Sequence, residues 1–337
     1  MAKKWIKNSL KILLVLVLVA WLVLALIPAK ANFAGENPLR IEEGARPMLI
    51  AHGGGNREFP DNTLEAFYHA YSIDPDCMME TDVSITQDGI IILSHDTTLD
   101  RKTNTTGAIE DHTYQSLLDL EIDFGYENTE GELVPYTNYL GENVTPQDVT
   151  YPVGISPRHA SKFLVTTLEE LIKAFPTNYI NVEIKQSGET GHEALATVLT
   201  LLETLDDEYH TFSRIVLASF HDEIYEELVS YQKNTNPTLM YSPAIKRVAT
   251  FYVLQLFRID SIFTDGIAVF QLPVRQYNIN LASKSIIKIA HRHNIAVHYW
   301  TIDDEVTMKY LIQNGADGIM TNIPSLLKQV YDEVFPS

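Results

Sequence analysis

The chain has 337 residues, 45% hydrophobic and 10% aromatic, enough for a full core in one large domain or two ordinary ones. Its single cysteine, Cys77, excludes an intramolecular disulfide and a thiolate metal cluster. The net charge is −19, and removing the five lysines of residues 1–32, a stretch without acids, leaves 20 basic against 44 acidic residues, or −24. So acidic a body repels nucleic acid, which excludes nucleic-acid binding as its function.

The N-terminus begins with Lys3, Lys4, Lys7 and Lys11, and an almost unbroken apolar run follows from Ile12 to Ala29. At about 18 residues, the run reaches the length of a membrane span and exceeds the usual core of a secretory signal. Basic residues before it keep the N-terminus cytoplasmic and send the bulk of the chain outside. Residues 1–32 are therefore expected to be a cytoplasmic tail and transmembrane anchor, the competing expectation being a signal cut near Ala29-Lys30-Ala31. Residues 33–47, with Gly35, Pro38, Gly44 and Pro47, have the composition of a linker.

From residue 48 onward, strand-like and helix-like segments alternate. Strand patterns fall at 48–52, 78–85, 90–95, 179–185, 214–219, 238–242, 261–267, 296–301 and 317–321. Helical patterns fall at 62–72, 113–120, 167–175, 190–206, 221–232, 244–257, 282–293, 304–313 and 324–333. Strands separated by helices of this length pair in parallel through crossovers, and their repetition predicts a (β/α)8 barrel over 48–337. Nine strand patterns compete for eight places, and the surplus is either 90–95, as a hairpin partner of 78–85, or 261–267. The stretch 122–163 breaks the rhythm with turn formers and no helical period. It is expected to be an insertion over the barrel mouth, with Tyr126, Tyr136, Tyr139 and Tyr151 available to line a pocket.

The chemistry-bearing residues gather where strands end. His52 and His95 each close a run of β-formers. Glu80 and Asp82 stand two apart in a third run, and Glu183 and Lys185 stand two apart in N-Y-I-N-V-E-I-K. Residues i and i+2 of a strand share a face, so each pair projects together, with Val182 and Ile184 turned toward the helices. Three converging carboxylates suit a hard divalent cation, Ca2+ or Mg2+, and two imidazoles near neutral pKa suit proton transfer. Together they fit metal-assisted cleavage of an anionic ester.

Ordered motifs extend this pattern: His52-Gly53-Gly54, Pro60-Asp61-Asn62-Thr63, Glu80-Thr81-Asp82-Val83, Thr86-Gln87-Asp88-Gly89, His95-Asp96 with Leu99-Asp100-Arg101, Glu183-Ile184-Lys185, Trp300-Thr301-Ile302 and Asp317-Gly318 through Asn322. In these the chain resembles the glycerophosphodiester phosphodiesterase family, within the phospholipase-C-like barrels, over about residues 48–333. The resemblance implies His52 and His95 as the acid–base pair and Glu80, Asp82 and Glu183 as metal ligands. It also implies Lys185 beside the phosphate and Trp300 near the substrate mouth. The implied reaction is hydrolysis of a small or lipid-derived glycerophosphodiester to glycerol 3-phosphate and an alcohol.

The chain departs from the family at Gly53, where the pattern has an arginine, and at Asp61, where it has a glutamate. Arg57 and Lys185 are the expected substitutes for the missing guanidinium, and the glycine is expected to widen the pocket for a bulkier diester. Three other readings compete: a phospholipase D-like lyase acting on lysophospholipids, a non-catalytic barrel binding glycerol-phosphate polymers, and a sugar-cleaving barrel using Glu80 and Glu183. The last leaves both histidines idle.

Overall fold

Eight short apolar runs become the parallel staves of a barrel in the computed structural model, which describes residues 2–276 and 278–336. Met1, Tyr277 and Ser337, the ends and one interior position of the expected segments, lie outside the described residues. The staves are β1 (Met48–His52), β2 (Met78–Ile85), β3 (Ile180–Ile184), β4 (Ile215–Ala218), β5 (Met240–Tyr241), β6 (Val269–Leu272), β7 (Ala296–Tyr299) and β8 (Gly318–Thr321). They pair in parallel in the order β5-β4-β3-β2-β1-β8-β7-β6. Among the described residues no ladder joins β5 to β6. Instead, the Ala268 amide donates to the Tyr241 carbonyl at 3.3 Å, and the Gln232 side-chain amide donates to the carbonyls of Leu239 and Gly266, each at 2.8 Å. The barrel is thus nearly closed, with helices between successive staves.

The nine strand patterns resolve in two different ways. Residues 91–93 form the antiparallel hairpin partner of β2, with Val83 opposite Leu93. The pattern at 261–267 is not a strand. A short 3-10 turn (Asp260–Ile262) and irregular backbone occupy it, and the stave follows at 269–272. Two apolar runs lie side by side there, and propensity alone favours the wrong one. The helical patterns all become helices, with Thr63 capping Leu64–Ile73 and Thr167 forming a reciprocal capping box with Glu170 ahead of Leu168–Ala174.

Alternation along the staves divides the core in two. Leu49, Met79, Val182, Ile184 and Leu217 pack outward among the helices. Ile50, Met78, Val216, Met240, Val269, Ala296 and Met320 fill the base of the barrel interior with Phe33 and Leu39 from the preceding segment. The stretch 33–47 is therefore tied down rather than loose. Asn37 Nδ2 donates to the carbonyls of Ala268 (2.7 Å) and Asn294 (2.8 Å), and the Ile41 amide donates to Asp317 Oδ1 at 3.0 Å.

Two parts lie outside the barrel wall. Helix α1 (Ala2–Leu26) is long and apolar enough over Trp5–Leu26 to cross a membrane, and none of that stretch is buried. Residues 122–163 contain a hairpin of Tyr126–Thr129 with Glu132–Pro135, a turn at Pro146–Asp148 and irregular chain. This stretch touches the loop after β1. Tyr136 donates its hydroxyl hydrogen to Asn56 O at 2.9 Å, and the Tyr139 amide donates to Arg57 O at 2.8 Å. Tyr151 instead packs on Tyr68 of helix 64–73.

Candidate active site

The side chains at the C-terminal ends of the staves have the parity of the base layer. His52 follows Ile50, Glu80 and Asp82 follow Met78, Glu183 and Lys185 follow Asn181, and Asn322 follows Met320. Every second residue faces inward, so a stave that seals the base with an apolar group offers a polar one at the mouth. Register then sets the neighbours: His52 pairs with Glu80, and Asp82 with Glu183.

Glu80, Asp82 and Glu183 each bring a carboxylate oxygen within 4.8 Å of the others. Lys185 Nζ sits between two of them, 2.9 Å from Asp82 Oδ1 and 2.8 Å from Glu183 Oε1. Asp82 is held by Asn62, whose Nδ2 donates to Asp82 Oδ2 (3.1 Å) while its Oδ1 accepts from the Asp82 amide (3.1 Å) and the Thr81 hydroxyl (2.7 Å). Glu80 Oε2 accepts from the Gly53 amide at 2.9 Å. Burial and then the Asp82 charge push the Glu80 carboxyl up to about 7. Burial and Asp82 also raise Glu183, against the pull of Lys185. With one ammonium for three acids, the cluster is short of positive charge.

Both histidines are held by Nδ1. His52 Nδ1 lies 2.6 Å from Asn322 Oδ1. Asn322 is itself fixed by Asp303, to which its backbone N and its Nδ2 each donate at 2.8 Å. With that amide nitrogen committed, the oxygen faces His52 and accepts from Nδ1–H, so Nε2 is left toward Glu80, 3.9 Å away. Burial works to lower the His52 pKa, but Glu80, the Asn322 contact and the Asp82 and Asp61 charges together outweigh it and the net shift is upward. His95 Nδ1 donates to Asp96 Oδ1 at 2.9 Å, which raises the His95 pKa against partial burial. Asp96 Oδ2 accepts from Arg101 Nε.

A cavity of about 160 Å³ brings both histidines together with Asp82, the one acid of the cluster that reaches its wall, and is lined further by Gly53, Asn56, Asp61 and Arg101. Arg57 is not among its walls. The Arg57 guanidinium lies 3.8 Å from Asp303 and 5.7 Å from the Tyr139 ring centroid. The guanidinium in the cavity belongs to Arg101, a residue of the Leu99-Asp100-Arg101 motif whose role the sequence alone does not reveal. Trp300 meets Phe220 edge-on at 6.0 Å, and Phe220 in turn lies 5.9 Å from Lys185 Nζ, so an aromatic pair flanks the lysine side of the mouth.

Gly53 lines the cavity, in a backbone conformation that L side chains rarely adopt. Its φ is +56°, and a Cβ there would lie 2.8 Å from Asp61 Cβ. The shorter Asp61 side chain accompanies that approach, and its carboxylate is held by Lys102 Nζ at 2.5 Å, with Arg101 at 3.7 Å. Despite burial, these cations hold the Asp61 carboxyl well below the usual carboxylate range.

A nearly closed eight-stave barrel with acids and imidazoles at its C-terminal mouth has the architecture of the (β/α)8-barrel enzymes. Comparison with known proteins narrows the class. Residues 52–326 match the glycerophosphoryl diester phosphodiesterase family, and the chain belongs to it. The members of that family are phosphoric diester hydrolases.

A glycerophosphodiester phosphodiesterase of Caldanaerobacter subterraneus is 25% identical over 284 residues, covering 84% of this chain and 96% of its own. A lysophospholipase D of Homo sapiens is 28% identical over 309 residues, covering 83% of this chain and 84% of its own. Among solved structures, the fold resembles an Oleispira antarctica phosphodiesterase in complex with its product sn-glycerol-3-phosphate. The TM-score is 0.60 at 20% identity, covering 85% of this chain and 97% of that one.

Proposed function

We propose that the protein hydrolyses glycerophosphodiesters to glycerol 3-phosphate and an alcohol, on the outer side of the membrane to which α1 anchors it. The observation that carries this reading is the cavity shared by two imidazoles, each held by Nδ1, and by Asp82 of a three-carboxylate cluster. Kinship with named glycerophosphodiester phosphodiesterases supplies the substrate class.

The cluster fits a hard divalent cation, Ca2+ or Mg2+: all its donors are carboxylate oxygens, and Lys185 supplies one positive charge against three acids. Glu80, Asp82 and Glu183 would hold that ion, which when bound neutralises phosphoryl charge as a Lewis acid. The remaining work falls to protein groups. Arg101 and Lys185 receive the phosphoryl oxygens, the guanidinium offering a fork and the ammonium a point charge. One imidazole takes a proton from the attacking oxygen (water or the glycerol 2-hydroxyl) as its bond to phosphorus forms. The other gives a proton to the alcohol oxygen as the P–O bond breaks. Water attack gives glycerol 3-phosphate directly. Attack by the 2-hydroxyl gives a cyclic phosphate that water then opens. Asn322 and Asp96 keep each Nε2 free for these transfers.

The kinship with a lysophospholipase D favours lysophospholipids as a second substrate class. The aromatic pair Phe220 and Trp300 offers an apolar flank for one acyl chain. Purified protein incubated with glycerophosphocholine and with a lysophospholipid, its products followed by phosphorus NMR, tests both. Glycerol 3-phosphate from the first supports the main reading, and lysophosphatidate or a cyclic phosphate from the second supports the alternative. Release of neither overturns both.

A further inference from the structure

Helix 245–256, between β5 and β6, presents an outward face unlike that of an ordinary barrel helix. Ile245, Val253 and Leu256 are exposed on it, and Phe257 and Ile262 extend the exposed apolar surface past its end. Positions 245, 249, 253 and 256 follow helical spacing, so the stripe runs the length of the helix. Ala249 contributes no polar group to it. The stretch 241–259 contains Lys246, Arg247 and Arg258 and no acid, in a body that is otherwise strongly acidic. Lys246 and Arg247 pair with Asp222 and Asp265, and among the described residues Arg258 makes no ion pair.

The end of α1 is seated on this surface. Trp21 Nε1 donates to Phe257 O at 2.8 Å, and the Ser261 hydroxyl donates to Leu24 O at 3.3 Å. Trp21 and Leu24 lie in the last two turns of the Trp5–Leu26 span, so with α1 across the membrane Phe257 and Ser261 lie toward its outer face.

We propose that helix 245–256 with Phe257 and Ile262 is a second membrane-contact element, lying in the interface of the bilayer that α1 spans and holding the barrel against it. The occupant of the apolar stripe is lipid, because the stripe is continuous with the anchor and its free charge is a cation suited to anionic headgroups. The body elsewhere is repelled by such a surface, so the contact also fixes which side of the barrel faces the membrane. This rests on the anchoring proposed above.

Cys77 is the only cysteine and is buried, so one introduced thiol can be labelled alone. The full chain carrying Leu256→Cys, or Ser72→Cys on helix 64–73 across the ring, is labelled with a nitrobenzoxadiazole fluorophore. It is then reconstituted in phosphatidylcholine–phosphatidylglycerol vesicles containing lipid spin-labelled in the acyl chain. Quenching at position 256 several-fold greater than at position 72 is the expected result, and equal quenching, or none at 256, overturns the proposal. Mass spectrometry of the N-terminal peptide from the vesicle fraction tells the two failures apart. An intact anchor with an unquenched label at 256 defeats the docking alone, whereas a cut N-terminus defeats the anchoring and the docking with it.

Discussion

The ring of His52 and the amide of Asn322 meet at 2.6 Å across the seam between β1 and β8, and Asp303 fixes which end of that amide the ring meets. The last stave thereby sets the tautomer of a histidine on the first. Asn322→Ala frees the ring and should lower kcat about 100-fold, the low end of what a positioned acid or base contributes. KM should change little. Asp303→Ala should move kcat the same way, because the Asn322 amide is then free to flip. Steady-state kinetics on glycerophosphocholine check this, and wild-type kcat in both variants would rule out the orienting role.

Arg101 and Arg57 make a discriminating pair. Arg101 lines the cavity, while Arg57 is engaged with Asp303 and Tyr139. Losing a charge-assisted contact of about 1.5–3 kcal/mol, Arg101→Ala should reduce kcat/KM roughly 10- to 100-fold. Arg57→Ala should stay within about threefold of wild type, as an exposed contact allows. The reverse ranking would move the phosphate-binding group to Arg57.

Gly53 provides a stability test. At φ +56° with Asp61 Cβ 2.8 Å from where its own would be, Gly53→Ala should cost about 1–3 kcal/mol, read from urea midpoints. Gly53→Arg should cost at least as much without improving turnover. A stable, faster Gly53→Arg enzyme would show that the loop accepts the family arginine after all.

His298 on β7 is a buried base with neither ring nitrogen hydrogen-bonded to a side chain or solvent-exposed group among the described residues, and burial pushes its pKa down to about 4. A base depressed on folding binds fewer protons folded than unfolded. Its contribution is therefore complete above about 6.5 and lost as pH falls from there toward 4. By pH 5 wild type should lose on the order of 2 kcal/mol that His298→Gln does not, given 1.36 kcal/mol per pKa unit. Urea unfolding of both at pH 7 and pH 5 measures the difference, and parallel losses would contradict it.

Much of the site was legible in the sequence because strand parity is. Once Ile50, Met78 and Met320 are taken as interior, His52, Glu80, Asp82 and Asn322 must follow them inward. Asn322 could have been found by that count, since the motif containing it was visible. What parity does not carry is pairing across loops. That Arg101 rather than Arg57 turns into the cavity depends on Asp96 and Asp61 capturing its guanidinium, two contacts made by irregular chain. The shift of the sixth stave from 261–267 to 269–272 has a similar origin. Both runs are apolar, and only the closure against Tyr241 and the pairing with β7 select the second. The closing of the barrel base by Phe33 and Leu39 was hidden by the turn formers around them, which mark a linker by composition while single apolar residues anchor it.

The central claim, that two imidazoles beside a cation-dependent acidic cluster cleave a glycerophosphodiester, is tested most directly by coupled measurement of glycerol 3-phosphate release from glycerophosphocholine. Wild type, His52→Ala and His95→Ala are compared, each with and without chelator, with melting temperature as the check on folding. Wild type should turn over in a way that chelator abolishes and Ca2+ or Mg2+ restores, and both folded variants should lose about 100-fold or more. Turnover that survives either substitution, or that is indifferent to chelator, would contradict it.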